Sequence, residues 1–206
     1  MASGLTRRLR LPALESGHRA PLSEQERITH LGWVLTDGGM PLRTRAAAAI
    51  VLLYAQSASR IVRLTLDDVI RDDGEVLLRL GDPPTPVPEP VADLLADWIS
   101  SRTNMRTATN RDSRWLFPGR RAGQPMGQDY LTALIREIGI PTTAGRSSAI
   151  RQQVLEMPSP VVADALGYHP VTTARLAAQS ASTFSRYAPG DHSRPALRRK
   201  PGEGEQ

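Results

Sequence analysis

The sequence predicts a mainly α-helical fold with one small antiparallel β-sheet. Three observations carry that expectation. Apolar residues recur at helical spacing through most of residues 22–188. The run Ala46 to Ala55 is apolar on every face, as a central buried helix requires. The triplet Asp72-Asp73-Gly74 separates two β-rich segments, "LTLDDVI" and "GEVLLRLG", which is the signal of a hairpin.

Taken in order, residues 1–20 show no sustained period and are expected to form a flexible tail. "PLSEQERITHLGWVLTD" pairs Ser23 with Glu26 at capping-box spacing and sets Ile28, Leu31, Val34 and Leu35 on one face. "PLRTRAAAAIVLLYAQ" (41–56) opens with Pro41, whose fixed φ suits a helix start. A short Ser59–Leu64 segment leads to the hairpin, which the proline-rich stretch Pro83–Pro90 should edge. Further helices are expected at 89–101, 127–138, 146–156, 159–167 and 170–183, with a long loop over 102–126 around "RWLFPGRRAGQP". Residues 21–188 therefore read as one domain, and 189–206, rich in Pro, Gly and charge, as a disordered basic tail.

Composition narrows the function. With 206 residues the chain is long enough for one well-buried core. It has no cysteine, hence no disulfide framework, thiolate metal site or cysteine nucleophile, and a reducing cytoplasmic setting is expected. No apolar run approaches the roughly 18 residues of a membrane span, and no signal core is present, so no membrane partner is expected. The formal net charge is +5, and of 26 basic side chains only Lys200 is lysine. Codon usage in a GC-rich genome is one source of such a bias. A surface that forks onto phosphate is the other. The four histidines, His18, His30, His169 and His192, are scattered, and no Walker loop, dinucleotide fingerprint or nucleophile elbow occurs, so neither metal nor cofactor is expected.

Four segments, in order, resemble the catalytic domain of the tyrosine recombinase (phage integrase) family over about residues 22–188. They are "AAAAIVLLYAQSASRIVRLTLDDV", "RWLFPGRRAGQPM", "AGRSSAIRQQVLEMPSPVVADALGYHPVTTAR" and "STFSRYAPGD". The resemblance implies a tyrosine recombinase catalytic-domain-like fold. It also implies an enzyme that cuts one DNA strand through a 3′-phosphotyrosyl bond without metal. Two arginines clamp the phosphate where charge accumulates, while histidines and a lysine move protons.

Mapped onto this chain, the first arginine is Arg60, with Ser57 in its place under a strict downstream register. The hairpin lysine is missing, and Arg79 alone offers a cation there. The His-x-x-Arg-His motif stands as Ser148-Ala149-Ile150-Arg151-Gln152. The Leu-Gly-His turn stands as Leu166-Gly167-Tyr168-His169, with His169 shifted by one or Tyr168 in its slot. The regular tyrosine slot after Thr172-Thr173 holds Leu176, which leaves Tyr187 as the candidate nucleophile. Candidate catalytic residues are thus Arg60, Arg151, His169 and Tyr187; candidate DNA contacts are Arg60, Arg120, Arg121, Arg146, Ser148, Arg151 and Gln152.

Each has a plainer alternative: a surface arginine for Arg60 and Arg151, a helix cap for His169, an aromatic packing the core for Tyr187. The expected function is a recombinase-like binder of double-stranded DNA with degenerate or absent strand cleavage. The alternatives are an active recombinase using Tyr187 and a helical interaction module that does not bind nucleic acid. The helix at 170–183, with Val171, Ala174, Ala177 and Ala178, is a candidate surface for homo-oligomers. Family members carry an N-terminal helical domain that closes a clamp on DNA. This sequence starts almost at the catalytic domain, so a fragment or a reduced protein with weak, strongly salt-dependent binding is expected.

Overall fold

The computed structural model describes residues 22–102 and 113–185. The expected tails, the first part of the long loop (103–112) and Tyr187 lie outside the described residues. Within them the order is α1 (Glu24–Thr36), α2 (Leu42–Tyr54), α3 (Ala58–Ile61), a 3₁₀ turn (Leu66–Asp68), β1 (Val69–Asp72), β2 (Glu75–Leu78), β3 (Thr85–Pro86), α4 (Glu89–Ser101), α5 (Gln128–Glu137), α6 (Thr142–Glu156), α7 (Ser159–Leu166) and α8 (Pro170–Ser185). The mainly helical class with a small antiparallel sheet is the one the sequence predicts.

α2 is the hub. Ala46 through Leu52 are at most 2% exposed, and α1, α4, α5 and α6 all pack on this helix. Four consecutive alanines keep its girth small, so the surrounding helices approach closely on several sides. α1 starts as predicted: Ser23 Oγ accepts from Glu26 N at 3.2 Å, while the Glu26 carboxylate accepts from Ser23 N at 2.8 Å. Those bonds from Ser23 hold the Glu26 carboxyl below its ordinary range.

The sheet runs β1-β2-β3, all antiparallel, with Val69 opposite Leu78 and Asp72 opposite Glu75. This register leaves Asp73-Gly74 as a two-residue turn. Their φ values of 43° and 87° are the left-handed pair that an Asp-Gly turn adopts most easily. The proline-rich stretch supplies the short edge strand β3, paired as Leu77 with Pro86 and Leu78 with Thr85. Tyr54 Oη donates to Pro86 O at 2.8 Å and ties this edge to the hub; burial pushes that hydroxyl above the ordinary phenol range.

Two regions depart from expectation. α6 begins at Thr142, four positions before the predicted 146. Pro141 takes the cap position, and Gly145 lies inside the helix where α6 crosses α2; a Cβ there would sit 2.9 Å from Leu52 Cδ2. The glycine provides room for a close approach and does not break the helix. The described part of the long loop is also well tethered. Leu116 and Phe117 are fully buried, Phe117 stacks on Trp98 at 6.0 Å, and Leu116 N donates to Leu64 O at 2.7 Å. Among the described residues, no helix is long and apolar enough to cross a membrane.

Candidate functional site

α5, α6 and α8 line a half-open cleft of about 400 Å³ against the C-terminal end of α2 and the start of α3. Four of its lining side chains are arginines: Arg136 from α5, Arg146 and Arg151 from α6, and Arg175 from α8. Among the described residues, no aspartate, glutamate, lysine or histidine lines it. Helical spacing explains the grouping. Thr132 and Arg136 lie one turn apart, as do Arg146 and Ile150, and Thr172 and Leu176. Thr142 and Thr143 bring the first turn of α6 to the same space, where helix amides lack intrahelical acceptors and the dipole is positive.

Arg146 is fixed to the wall by one nitrogen only. Its Nε donates to Ala55 O at 2.8 Å and to Tyr168 Oη at 3.0 Å, and its guanidinium lies 5.5 Å from the centre of the Tyr168 ring. Tyr168 Oη donates to the same Ala55 carbonyl. Ala55 ends α2 with φ 58°, a left-handed conformation that costs a non-glycine residue roughly 1–2 kcal/mol and turns this carbonyl toward Arg146 and Tyr168. The terminal nitrogens of Arg146 have no partner among the described residues, and the same holds for the guanidiniums of Arg136, Arg151 and Arg175.

Arg60 behaves differently. Its Nη1 donates to Leu166 O at 2.7 Å and Gly167 O at 2.8 Å, and its Nη2 to Leu80 O at 2.5 Å. Partial burial lowers its pKa, Tyr168 opposes that shift and Arg146 adds to it, so these three side chains lie together. Arg60 nevertheless donates its terminal nitrogens to carbonyls and does not itself line the cleft that Arg151 lines. Around it, the last carbonyls of α7 are all occupied. Asp164 O accepts from Asp82 N at 3.0 Å, Ala165 O from Thr85 Oγ1 at 3.0 Å, and Leu166 O also from Gln56 Nε2 at 3.0 Å.

The other predicted positions are spread out. Arg151 lines the cavity. Ser148 is buried on the packed face of α6, and Gln152 Nε2 donates along that helix to Glu156 Oε1 at 2.6 Å. His169 caps α8: its carbonyl accepts from Thr172 N at 2.8 Å, its Nδ1 from Val171 N at 3.3 Å, and it does not line the cavity. Tyr168, immediately before it, does. Arg120 and Arg121 are exposed on the turn between the paired Pro118 and Pro125, away from the cavity lining. Arg79 lies 4.0 Å from Asp68. Sequence reasoning missed Arg136 and Arg175. The available signal was their spacing of about one turn from Thr132 and Thr172 on the same helices.

No protein-family model matches the chain, and no curated protein matches it in sequence. Solved structures do share the fold. XerA recombinase superposes with a TM-score of 0.60 and 16% identity, over 83% of this chain and 66% of that one. XerH site-specific recombinase, bound to its palindromic difH substrate in a post-cleavage complex, gives 0.60 and 17%, over 82% and 52%. The Tn1549 transposon integrase, in complex with a circular intermediate DNA, gives 0.57 and 15%, over 84% and 67%. The chain thus spans between about half and two thirds of the length of these recombinases. At such identities the likeness is one of fold: a mainly helical domain with a small antiparallel sheet, like the catalytic domains of tyrosine recombinases.

Proposed function

We propose that this protein is a recombinase-like DNA-binding protein whose strand-cleavage chemistry is degenerate or absent. One observation carries the proposal: four arginines line one cleft, and among the described residues no aspartate, glutamate, lysine or histidine joins them there. Such a set grips phosphate through charge-assisted, forked hydrogen bonds. Arg136, Arg146, Arg151 and Arg175 provide the grip, and Arg60 holds the wall behind Tyr168. Cleavage also needs groups that take and return protons, a contribution of about 10²- to 10⁴-fold. Arginine stays protonated and cannot supply them. Two further features support loss of chemistry. Leu176, in the slot where the resembled family places its tyrosine, lines the cavity without a hydroxyl, and the Tyr168 hydroxyl donates to Ala55 O.

Two assays test this. Duplex DNA titrated by fluorescence anisotropy should bind at about 50 mM salt and lose affinity steeply by about 200 mM. Absence of binding at the lower salt would favour a module unrelated to nucleic acid. Nicked suicide substrates should give no covalent adduct on denaturing gels. An adduct abolished by Tyr187→Phe would make the protein an active recombinase.

A further inference from the structure

We propose that the cavity takes a phosphate monoester, the terminal phosphate of a DNA end, in preference to an internal phosphodiester. This rests on the DNA-binding function above and narrows it to a ligand class. Charge is the first reason. An internal phosphodiester carries one negative charge, whereas a monoester carries about 1.5 to 2 at neutral pH because its second pKa is about 6. Four guanidiniums line one cleft of about 400 Å³ with no carboxylate among the described lining residues, and a dianion offsets more of their mutual repulsion than the single charge of a diester does.

Acceptor geometry is the second reason. A monoester presents three non-bridging oxygens against two on a diester, so more of the four forks find an acceptor. Arg146 is pre-aimed, because its Nε bonds hold the guanidinium and leave both terminal nitrogens to a ligand. Thr142, Thr143 and Thr172 set further donors on the wall. Holding a terminal phosphate requires no leaving-group acid, which agrees with the arginines that line the cleft among the described residues.

The test uses the full chain and hairpin duplexes of one sequence, labelled in the loop. Their single open end carries a 5′-phosphate, a 3′-phosphate or hydroxyls only. At pH 7.5 and fixed low salt, one phosphorylated end should bind about tenfold more tightly than the hydroxyl end. That advantage should shrink as pH falls through about 6, where the monoester regains its proton while arginine keeps its charge. Arg136→Ala and Arg175→Ala, both at exposed helical positions where alanine is well tolerated, should abolish the advantage with helicity unchanged. A deoxynucleoside monophosphate that competes as well as the DNA end would assign the same monoester chemistry to a soluble nucleotide. Weaker competition would assign it to DNA. Equal affinity for all three ends at every pH would overturn the monoester proposal. If the hydroxyl-ended duplex still binds in that case, the DNA-binding function stands without it.

Discussion

Arg60 shows how one residue type serves opposite ends. Its guanidinium closes three main-chain carbonyls at the junction of the sheet and α7, and Gly167 is what admits it: φ there is 62°, and any Cβ would strike Arg60 Nη2 and Leu80 O. Arg60→Ala leaves Leu80 O and Gly167 O without that donor. A loss of roughly 2–3 kcal/mol is expected, read as a lower midpoint in urea with unchanged slope. Arg60→Lys should recover less than half, because a single ammonium cannot reproduce the fork. The salt dependence of DNA binding, measured while both proteins are folded, should not change. A slope smaller by about one would return Arg60 to the phosphate. No sequence pattern gives this answer, since the carbonyls lie 20 and 106 positions away. By contrast, the Ser23–Glu26 cap, the Asp73-Gly74 turn and the Leu166-Gly167 turn were all legible, because each is a local contest between neighbouring residues.

At the scale of elements, the site depends on how α6 sits against α2. Gly145 sets that distance, and Arg146 and Arg151 follow on the cavity side of the same helix. Gly145→Ala adds helix propensity of about 1 kcal/mol, and its methyl meets the flexible ends of Leu52 at 2.9 Å and Leu22 at 3.8 Å; stability should stay within about 1 kcal/mol of the parent. Gly145→Val adds bulk that Leu52 alone cannot yield to, and a loss of about 1–3 kcal/mol is expected in urea denaturation. DNA affinity should fall with it at temperatures where the protein remains folded, since Arg146 and Arg151 move with the helix. Full affinity in a destabilised valine variant would show that the helix crossing does not position the arginines. The same crossing explains the misjudged start of α6. A glycine four residues into a helix reads as a break when only local propensity is weighed. It becomes a packing position once α2 lies across it.

Over the described part of the molecule, two groups of arginines stand apart. Arg27, Arg45, Arg60, Arg102 and Arg146 donate to main-chain carbonyls: Arg27 to Leu52 O at 3.1 Å, Arg45 to Val34 O and Leu35 O at 2.6 and 2.5 Å, and Arg102 to Ser113 O at 2.7 Å. Several of these carbonyls end helices, where a cation also meets the negative end of the dipole. Arg136, Arg151 and Arg175 have no such bond among the described residues and line the cavity. Composition alone gives both groups the same charge, so the sequence pointed to a polyanion without telling which arginines meet it. The two groups should separate in paired measurements. Arg27→Ala or Arg45→Ala should lower the melting temperature, by about 2–4 °C per kcal/mol lost in a protein of this size, and leave the salt slope of DNA binding unchanged. Arg136→Ala, Arg151→Ala or Arg175→Ala should leave the melting temperature nearly unchanged. Each should reduce the slope by about one, because each removes a counterion-releasing contact. If all five variants reduced the slope alike, binding would be a property of net charge spread over the surface, and the cavity would hold no privileged phosphate.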